Sequence, residues 1–278
     1  MEARLVQVDQ APRGVDASTP SVARLYDYYL GGKNNFEVDR IAAERLKALV
    51  PETVDVAWAN RGFHQRAARW IAERGVRQFI DIGSGLPTQG NTHEVVQAVT
   101  PNARVVYADQ DPMVAAHSKA LLTAEGNTAV VTADLRVPGR ILDAPEVRET
   151  IDFSRPVGLL MTAVLHFVSD DSDPWGIVRR YVDVLAPGSY LALSHGTLDR
   201  IPPRSVNALY EVYSRASEQI YLRDRARVER FFEGLELVPP YPGGDPVVTY
   251  VGEWGAEDPT LADSDGSRMS YCGVARCP

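Results

Sequence analysis

Cysteine is nearly absent from this chain of 278 residues. Its two cysteines, Cys272 and Cys277, lie at the C-terminus, and no histidine stands near them. A structural zinc site or a disulfide framework needs more thiols at regular spacings, so the sequence indicates neither. A bridge between these two cysteines is an alternative, but we expect reduced thiols because the rest of the sequence predicts a cytoplasmic protein.

Long hydrophobic runs are also absent. No apolar stretch approaches the roughly 20 residues of a transmembrane helix, and residues 1–14 lack the basic start and apolar core of a signal peptide. We therefore expect a cytoplasmic protein with no membrane partner. Lysine is scarce as well, with three lysines among 29 basic residues, and the formal net charge is −8. Because phosphate binding needs clustered positive charge, no nucleic-acid partner is expected.

Three regions follow one another along the chain. Residues 1–17 carry glycine, proline and charge without periodicity and predict a flexible leader. Residues 18–75, here called the N-terminal cap, predict three helices near 18–30, 38–49 and 55–74. Residues 76–278 predict the core, and we expect cap and core to form one compact domain.

From Val76 onward, apolar strands alternate with helices. Strands are predicted at 77–82, 104–109, 128–132, 156–162 and 189–194, with helices at 90–99, 112–124, 141–150 and 174–185. Helices at 204–221 and 224–232 precede two final strands, 235–238 and 268–275, and the loop 239–267 between them has no assigned role. This alternation is typical of an α/β fold with a doubly wound, mostly parallel sheet, here of seven strands.

The strongest local signal follows the first strand, in Phe79-Ile80-Asp81-Ile82-Gly83-Ser84-Gly85. Ligands of open α/β sheets bind at the carboxyl ends of strands, and two glycines there allow a tight turn and a close approach. An acidic residue, Asp109, also closes the second strand, and another, Asp134, follows the third. A carboxylate at Asp109 can accept hydrogen bonds from both hydroxyls of a ribose, and Asp134 can reach an adenine amino group.

Together these motifs resemble those of the class I S-adenosylmethionine-dependent methyltransferases. DIGSG, YADQDP and TADLR look like their glycine motif, ribose acid and adenine-side motif. TPSVARLYDYYLGGKNNFEVDR and WANRGFHQRAARW resemble a narrower actinobacterial family, long called a domain of unknown function and now grouped as S-adenosyl methyltransferases. The narrower resemblance spans nearly the whole chain. It implies a Rossmann-like fold, S-adenosylmethionine as cofactor and methyl transfer, but no substrate.

The resemblance also implies roles for individual residues. Those expected to contact the cofactor are Asp81, Gly83 and Gly85 at its methionine part, Asp109 at its ribose, and Asp134 with Leu135 at its adenine. Asp111 is the alternative to Asp109. In related methyltransferases the N-terminal helices fold over the cofactor. By that analogy the cap residues expected at the site are Tyr26, Tyr29, Asn34, Phe36 and Arg61. Of these, Arg61 is expected to face the carboxylate of the cofactor. The alternative is that these residues belong to an ordinary packed helix.

Methyl transfer demands little chemistry from the protein, because the sulfonium is already activated. A general base is needed only if the acceptor must lose a proton, and the candidate is His166, after the fourth strand, which could instead contact the cofactor. His195, at the end of the fifth strand, is a second candidate. The acidic residues before the helix at Pro174 are interpreted as stabilising its N-terminus, so no metal is predicted; they are Asp170, Asp171 and Asp173.

Alternatives to an active methyltransferase remain open at this point. A non-catalytic S-adenosylmethionine-binding protein or a regulatory module would carry the same motifs. An NAD-dependent oxidoreductase is disfavoured, because Thr88 stands where the dinucleotide motif needs its third glycine. The expected acceptor is a small molecule, with a protein as the second choice, and a homodimer is compatible with the sequence.

Overall fold

The N-terminal cap consists of helices, as predicted. A computed structural model describes residues 14–88, 90–122, 127–199 and 201–278, with only the backbone described for 118–122. Its first helices are α1 (Val22–Tyr29), α2 (Glu37–Leu49) and α3 (Thr53–Glu73). Helix α1 begins after Ser21 and ends before the Gly31-Gly32 turn, where a Cβ on Gly32 would lie 2.1 Å from Asp27 Oδ1. Only glycine therefore fits this tight turn.

Parallel strands and helices alternate through the core. The strands are β1 (Gln78–Ile82), β2 (Arg104–Asp109), β3 (Thr128–Thr132), β4 (Gly158–Thr162) and β5 (Tyr190–Gly196). The helices that follow are α4 (Thr92–Val99), α5 (Pro112–Leu122), α6 (Pro138–Leu142), α7 (Pro145–Thr150), α8 (Pro174–Val182), α9 (Pro203–Tyr213) and α10 (Arg225–Glu229). The last strands are β6 (Glu236–Leu237), β7 (Thr249–Tyr250) and β8 (Ser270–Arg276).

The sheet confirms the predicted mostly parallel α/β architecture. Its strand order is β3-β2-β1-β4-β5-β8-β6, and β7 pairs with β8 off this path. The first five strands are parallel, whereas β8 is antiparallel to each of its three neighbours. Over the described residues the sheet thus has eight strands, one more than predicted. The extra strand is the two-residue β7, which lies inside the predicted loop.

Two predicted helices differ from the observed ones, and a third extends beyond the described residues. The helix predicted at 204–221 ends at Tyr213, because the chain then turns so that Ile220 and Leu222 pack into the cap. The helix predicted at 141–150 is split into α6 and α7 by Pro145, which lacks the N–H that a continuous helix needs. Of the helix predicted at 112–124, residues 123–124 lie outside the described residues.

Apolar clusters cover both faces of the sheet. On one face α3 supplies Phe63, Ala67 and Ile71, and on the other α8 supplies Ile177 and Tyr181. The first half of α3 belongs to a third cluster, in which Ala57 packs with α1, α2 and α9. Helix α3 therefore contributes both to the cap and to the covering of the sheet.

The predicted loop 239–267 is anchored to α3. Trp254 is buried between Phe63 and Trp70, with ring centroids 5.7 and 5.8 Å away. Arg66 donates hydrogen bonds to the carbonyls of Trp254 and Val251, at 2.7 and 2.8 Å. These contacts give the loop a structural role at the back of the sheet.

Two expectations from composition can be compared with the structure. Cys272 and Cys277 are free thiols, so the alternative bridge is not formed. In the part of the chain that the structure describes, no helix is long and apolar enough to cross a bilayer.

The two glycines after β1 differ in what surrounds them. Gly83 and Gly85 have φ of +68° and +66°, which costs other residues about 1–2 kcal/mol. A Cβ on Gly83 would lie 2.2 Å from Val164 Cγ2, whereas one on Gly85 would meet nothing within 4 Å. We expect Gly83→Ala to lower the free energy of unfolding by about 2–4 kcal/mol and Gly85→Ala by about 1–2 kcal/mol. Urea unfolding of both variants measures this difference, and equal losses would contradict it.

Candidate functional site

A cavity of about 500 Å³ lies at the carboxyl ends of the parallel strands. The loops after β1 to β5 line one side of it, and α1, α3 and α9 line the other. Gly14 and Val15 also line the cavity, although they belong to the predicted flexible leader; residues 1–13 of that leader lie outside the described residues. Arg24 holds this segment by donating a hydrogen bond to the carbonyl of Asp16 at 3.0 Å.

Asp109 joins the loops that follow β1 and β2. Its Oδ2 accepts the backbone N–H of Gly85 and its Oδ1 that of Asp111, both at 2.9 Å. Burial raises the pKa of Asp109 to about 6, and the backbone N–H groups only partly offset that effect. Each carboxylate oxygen keeps a lone pair for a ligand, because each accepts only one of these bonds.

Asp111, the alternative ribose acid, lines the same cavity but has a structural task. Its Oδ1 accepts the N–H of Met113 at the start of α5 at 2.8 Å. Its Oδ2 accepts the hydroxyl hydrogen of Ser21 at 2.7 Å. Since Ser21 precedes α1, this second bond fastens the cap to the strand edge.

Asp134 and Leu135 also line the cavity, at the end of β3. Arg136 Nε lies 2.9 and 2.8 Å from the two carboxylate oxygens of Asp134. The same guanidinium reaches Glu218 Oε1 at 3.1 Å. This rim is polar and half-buried, in contrast to the buried surroundings of Asp109.

Asp81 does not line the cavity, but a chain of hydrogen bonds connects it to a residue that does. Thr92 donates to Asp81 Oδ2 at 2.6 Å, and His64 Nε2 lies 2.8 Å from the same threonine oxygen. His64 Nδ1 lies 2.9 Å from the hydroxyl of Thr162 at the end of β4. Burial raises the pKa of Asp81 to about 6 and lowers that of His64 to about 3, so the imidazole is neutral. His64 and Thr162 both line the cavity.

The predicted cap residues divide into two groups. Tyr26, Tyr29 and Arg61 line the cavity, whereas Asn34 and Phe36 do not. The backbone N–H of Asn34 donates to Asp27 Oδ2 at 2.9 Å, and Phe36 is buried in a cluster with Met113. The amide-bearing turn therefore stabilises the cap itself.

Tyr26 is held by a polar chain that reaches the sheet. Its hydroxyl donates to the carbonyl of Ala57 at 3.0 Å and accepts from Asn60 Nδ2 at 2.8 Å. Asn60 Oδ1 accepts in turn from Ser194 of β5 at 2.5 Å. Arg61, one residue further along α3, donates to the carbonyl of Gly90 at 3.0 Å.

The hydrogen bonds of His166 and His195 define their tautomers. His166 Nδ1 accepts the backbone N–H of Gly196 at 3.2 Å, so its proton sits on Nε2. His195 Nε2 accepts from Arg223 at 2.6 Å, and its Nδ1 donates to the carbonyl of Gly196 at 2.7 Å. Burial lowers the pKa of both imidazoles, that of His166 to about 3. His166 lines the cavity, while His195 is buried behind it.

Two of the acidic residues before α8 have structural partners. Asp173 Oδ1 accepts the N–H of Gly176 at 3.0 Å and so stabilises the N-terminus of α8, as predicted. Asp170 pairs with Arg223 at 2.8 Å and also with Arg227. Asp171 is exposed. The absence of a metal stays a prediction.

Nearly the whole chain is similar to a known family. A family model described as S-adenosyl methyltransferase matches residues 8–278. The chain belongs to the S-adenosyl methyltransferase family. This membership confirms the resemblance seen in the cap motifs and the expected methyltransferase activity.

Two crystal structures closely resemble this methyltransferase. A candidate methyltransferase from Thermobifida fusca YX is 42% identical, with a TM-score of 0.88 over 97% of this chain and 99% of that one. A DUF574 family protein from Streptomyces avermitilis is 43% identical, with a TM-score of 0.86 over 95% of this chain and 99% of that one. Among curated proteins, none matches the sequence.

Several residues around the methyltransferase cavity escaped the sequence analysis. Asn60 and His64 lie one turn apart on α3, a spacing that places both on one face and could have indicated their common orientation. Tyr213 and Arg223 gave no local signal, because their partners lie far away in the sequence. Ala163 has a positive φ of 53°, an uncommon conformation for alanine, directly after β4.

Arg223 anchors the loop after β4, which carries His166. Its side chain is 1% exposed and donates to the carbonyls of Leu165 and Val168 at 3.1 and 2.6 Å. Arg223→Met would leave these buried groups without partners, so we expect the free energy of unfolding to fall by about 3–5 kcal/mol. Arg227→Met is the control: it removes another partner of Asp170, but Arg227 is 41% exposed and should cost less than about 1 kcal/mol. Thermal unfolding that showed equal small losses would contradict this role.

Proposed function

We propose that this chain binds S-adenosylmethionine and transfers its methyl group to a small-molecule acceptor in the cytoplasm. The observation that carries the proposal is the position of Asp109, whose carboxylate faces the cavity while two backbone N–H groups hold it against the glycine loop. A carboxylate fixed in this way is oriented for the vicinal hydroxyls of a ribose before any ligand arrives.

The glycine loop also fits a ligand that lies directly against it. A Cβ on Gly85 would point into open space, so the backbone there is accessible at close range. Ser84 Oγ is buried without a hydrogen-bond partner among the described residues, and Ser84 lines the cavity. A buried hydroxyl of this kind favours a polar ligand group beside it.

In this proposal the chain supplies three contacts to the donor. Asp109 accepts from the ribose, Asp134 and Leu135 lie at the adenine, and Arg61 faces the carboxylate of the methionine part. Asp134 keeps acceptor capacity on Oδ2, which accepts only from Arg136 Nε, whereas Oδ1 accepts both the backbone N–H and Nε of Arg136. When bound, S-adenosylmethionine supplies a methyl group on a sulfonium that needs no further activation.

The remaining task of the protein is to orient the acceptor and exclude water. The cap covers the strand edge and is fastened to it by Ser21 on Asp111 and by the chain from Tyr26 through Asn60 to Ser194. Holding the two reactants in line within such an enclosure supplies a large part of the rate enhancement. The proposed reaction requires no metal, and the proposal includes no nucleic-acid or membrane partner.

Cofactor affinity tests the role of Asp109. If its carboxylate binds both ribose hydroxyls, Asp109→Ala should weaken S-adenosylmethionine binding by about 1.5–3 kcal/mol, roughly ten- to more than a hundredfold. Calorimetric titration with S-adenosylmethionine, S-adenosylhomocysteine and NAD in parallel makes the measurement. Asp171→Ala, at an exposed acid outside the cavity, is the control and should bind like the wild type.

Each ligand in that titration excludes a different alternative. Binding of NAD alone would indicate an oxidoreductase, and binding of neither sulfur compound would overturn the proposal. Binding without methyl transfer to any acceptor would favour a regulatory protein. An unchanged affinity in folded Asp109→Ala would move the ribose role to Asp111.

The raised pKa of Asp109 predicts a pH dependence of cofactor binding. Its carboxyl group is protonated below about pH 6 in the free protein, and a protonated carboxyl loses acceptor capacity. Affinity should therefore be highest above pH 6 and fall by up to about tenfold for each pH unit below it. Calorimetry from pH 5 to pH 8 checks this. Asp109→Asn should flatten the profile, and an unflattened profile would assign the titration to another group.

A further inference from the structure

The part of the cavity wall formed by α1, the loop after β4, α9 and the segment between α9 and α10 has a different chemistry from the strand edge. We call this part the acceptor wall: Tyr29, His166, Phe167, Leu209, Tyr213 and Leu222, all of which line the cavity. The ring of Phe167 lies 4.4 Å from that of His166 and 5.7 Å from that of Tyr213, by centroids. The ring planes are inclined at 67° and 45°, so these side chains meet edge-on or tilted and form a packed, largely apolar aromatic surface.

None of these six residues carries a charge. Among the described residues, the charged groups that line the cavity elsewhere are largely held by other groups. Arg24 pairs with Asp39, Arg136 with Asp134, and Asp109 accepts two backbone N–H groups. A cationic head group would therefore find no partner of opposite charge on the acceptor wall.

Two hydrogen-bond donors on the acceptor wall remain available. His166 carries its proton on Nε2, because Nδ1 accepts the N–H of Gly196. The hydroxyl of Tyr29 is buried and has no partner among the described residues. A buried donor without a partner is costly, so such a group favours a ligand atom that accepts its hydrogen bond.

The tautomer of His166 also excludes a role as general base. A general base must offer a lone pair, and the only lone pair on this neutral ring already accepts a backbone N–H that cannot reverse its direction. The acceptor wall thus presents donors to an oxygen and no base that would remove its proton. Such an arrangement stabilises an oxygen anion rather than generating one.

We propose that the methyl acceptor is an aromatic hydroxyl compound bound as its phenolate, with the oxygen held by His166 Nε2–H and Tyr29 O–H. This inference rests on the proposed function. The phenol loses its proton to solvent; the phenolate oxygen then forms the new O–CH₃ bond as the S–CH₃ bond breaks, leaving S-adenosylhomocysteine and an aryl methyl ether. The acidity of the acceptor replaces a side-chain base.

Binding of simple probes tests the acceptor class. The protein is first saturated with S-adenosylhomocysteine, then titrated with 4-nitrophenol, nitrobenzene and 4-nitrobenzylammonium. We expect 4-nitrophenol to bind at least about tenfold more tightly than the other two, in agreement with a hydrogen bond to a charged oxygen. Its phenolate absorbance should show a lowered pKa in the complex. Equal affinities, or binding as the neutral phenol, would overturn the acceptor class alone; failure of S-adenosylhomocysteine to bind would overturn the proposed function as well.

Tyr29→Phe separates a ligand contact from a structural role. Removal of a buried hydroxyl without a partner should leave the unfolding free energy unchanged or raise it, while lowering 4-nitrophenol affinity about tenfold. Tyr28→Phe on the same helix is the control, because its hydroxyl donates to Glu44 on the surface, and it should leave that affinity unchanged. A Tyr29→Phe variant that binds the probe like the wild type would contradict the contact.

His166→Gln separates a donor from a base. Glutamine can accept the N–H of Gly196 through its oxygen and donate through its nitrogen, but it cannot take up a proton. Formation of 4-nitroanisole from 4-nitrophenol and S-adenosylmethionine should then fall by less than about tenfold. Loss of a general base would instead cost about a hundred- to ten-thousandfold and would overturn the donor role.

Discussion

The carboxylate of Asp109 is the group on which the arrangement of the cavity depends. It accepts the N–H of Gly85 from one loop and that of Asp111 from the next, so the ends of β1 and β2 are linked through one side chain. Burial disfavours its charge, and the two backbone donors offset only part of that cost. A ligand that donates further hydrogen bonds would complete the compensation. The desolvation of the Asp109 charge therefore costs free energy in the folded protein, and the same cost favours binding of a ribose that donates hydrogen bonds to this carboxylate.

A second carboxylate, that of Asp39, positions the cap residue that contacts this edge. Asp39 is buried and accepts from the backbone of Ser21 and from Arg24, at 2.9 and 2.7 Å. The start of α1 is thereby fixed, and the hydroxyl of Ser21 is directed to Asp111. The charged residues of the cap thus act together to position one helix. Because Tyr29 lies at the end of that helix, its place on the cavity wall follows from contacts made two turns earlier.

The sequence predicts the strand-edge half of the site better than the half formed by helices. Gly83, Gly85, Asp109 and Asp134 line the cavity, because the carboxyl ends of parallel strands necessarily meet at one edge. Asp81 does not, since it lies inside β1 and alternation turns its side chain toward Thr92 and α3. Asn34 was expected at the site but lies outside the cavity, in a turn where its backbone N–H donates to Asp27 Oδ2. The end of α9 at Tyr213 and the strand β7 depend on distant partners, which no local pattern contains.

Hydrogen bonding, more than residue type, determines what the histidines of this site can do. His64, His166 and His195 all lie near the carboxyl edge, and all are neutral because burial lowers their pKa. His195 has both nitrogens occupied by Arg223 and a carbonyl, and His64 lies between two threonines. Only His166 has a ring nitrogen left for the cavity, and a backbone N–H on the opposite nitrogen makes that atom a donor. A site built in this way can orient and stabilise an oxygen, so the readiness of the acceptor to ionise limits which compounds it can methylate.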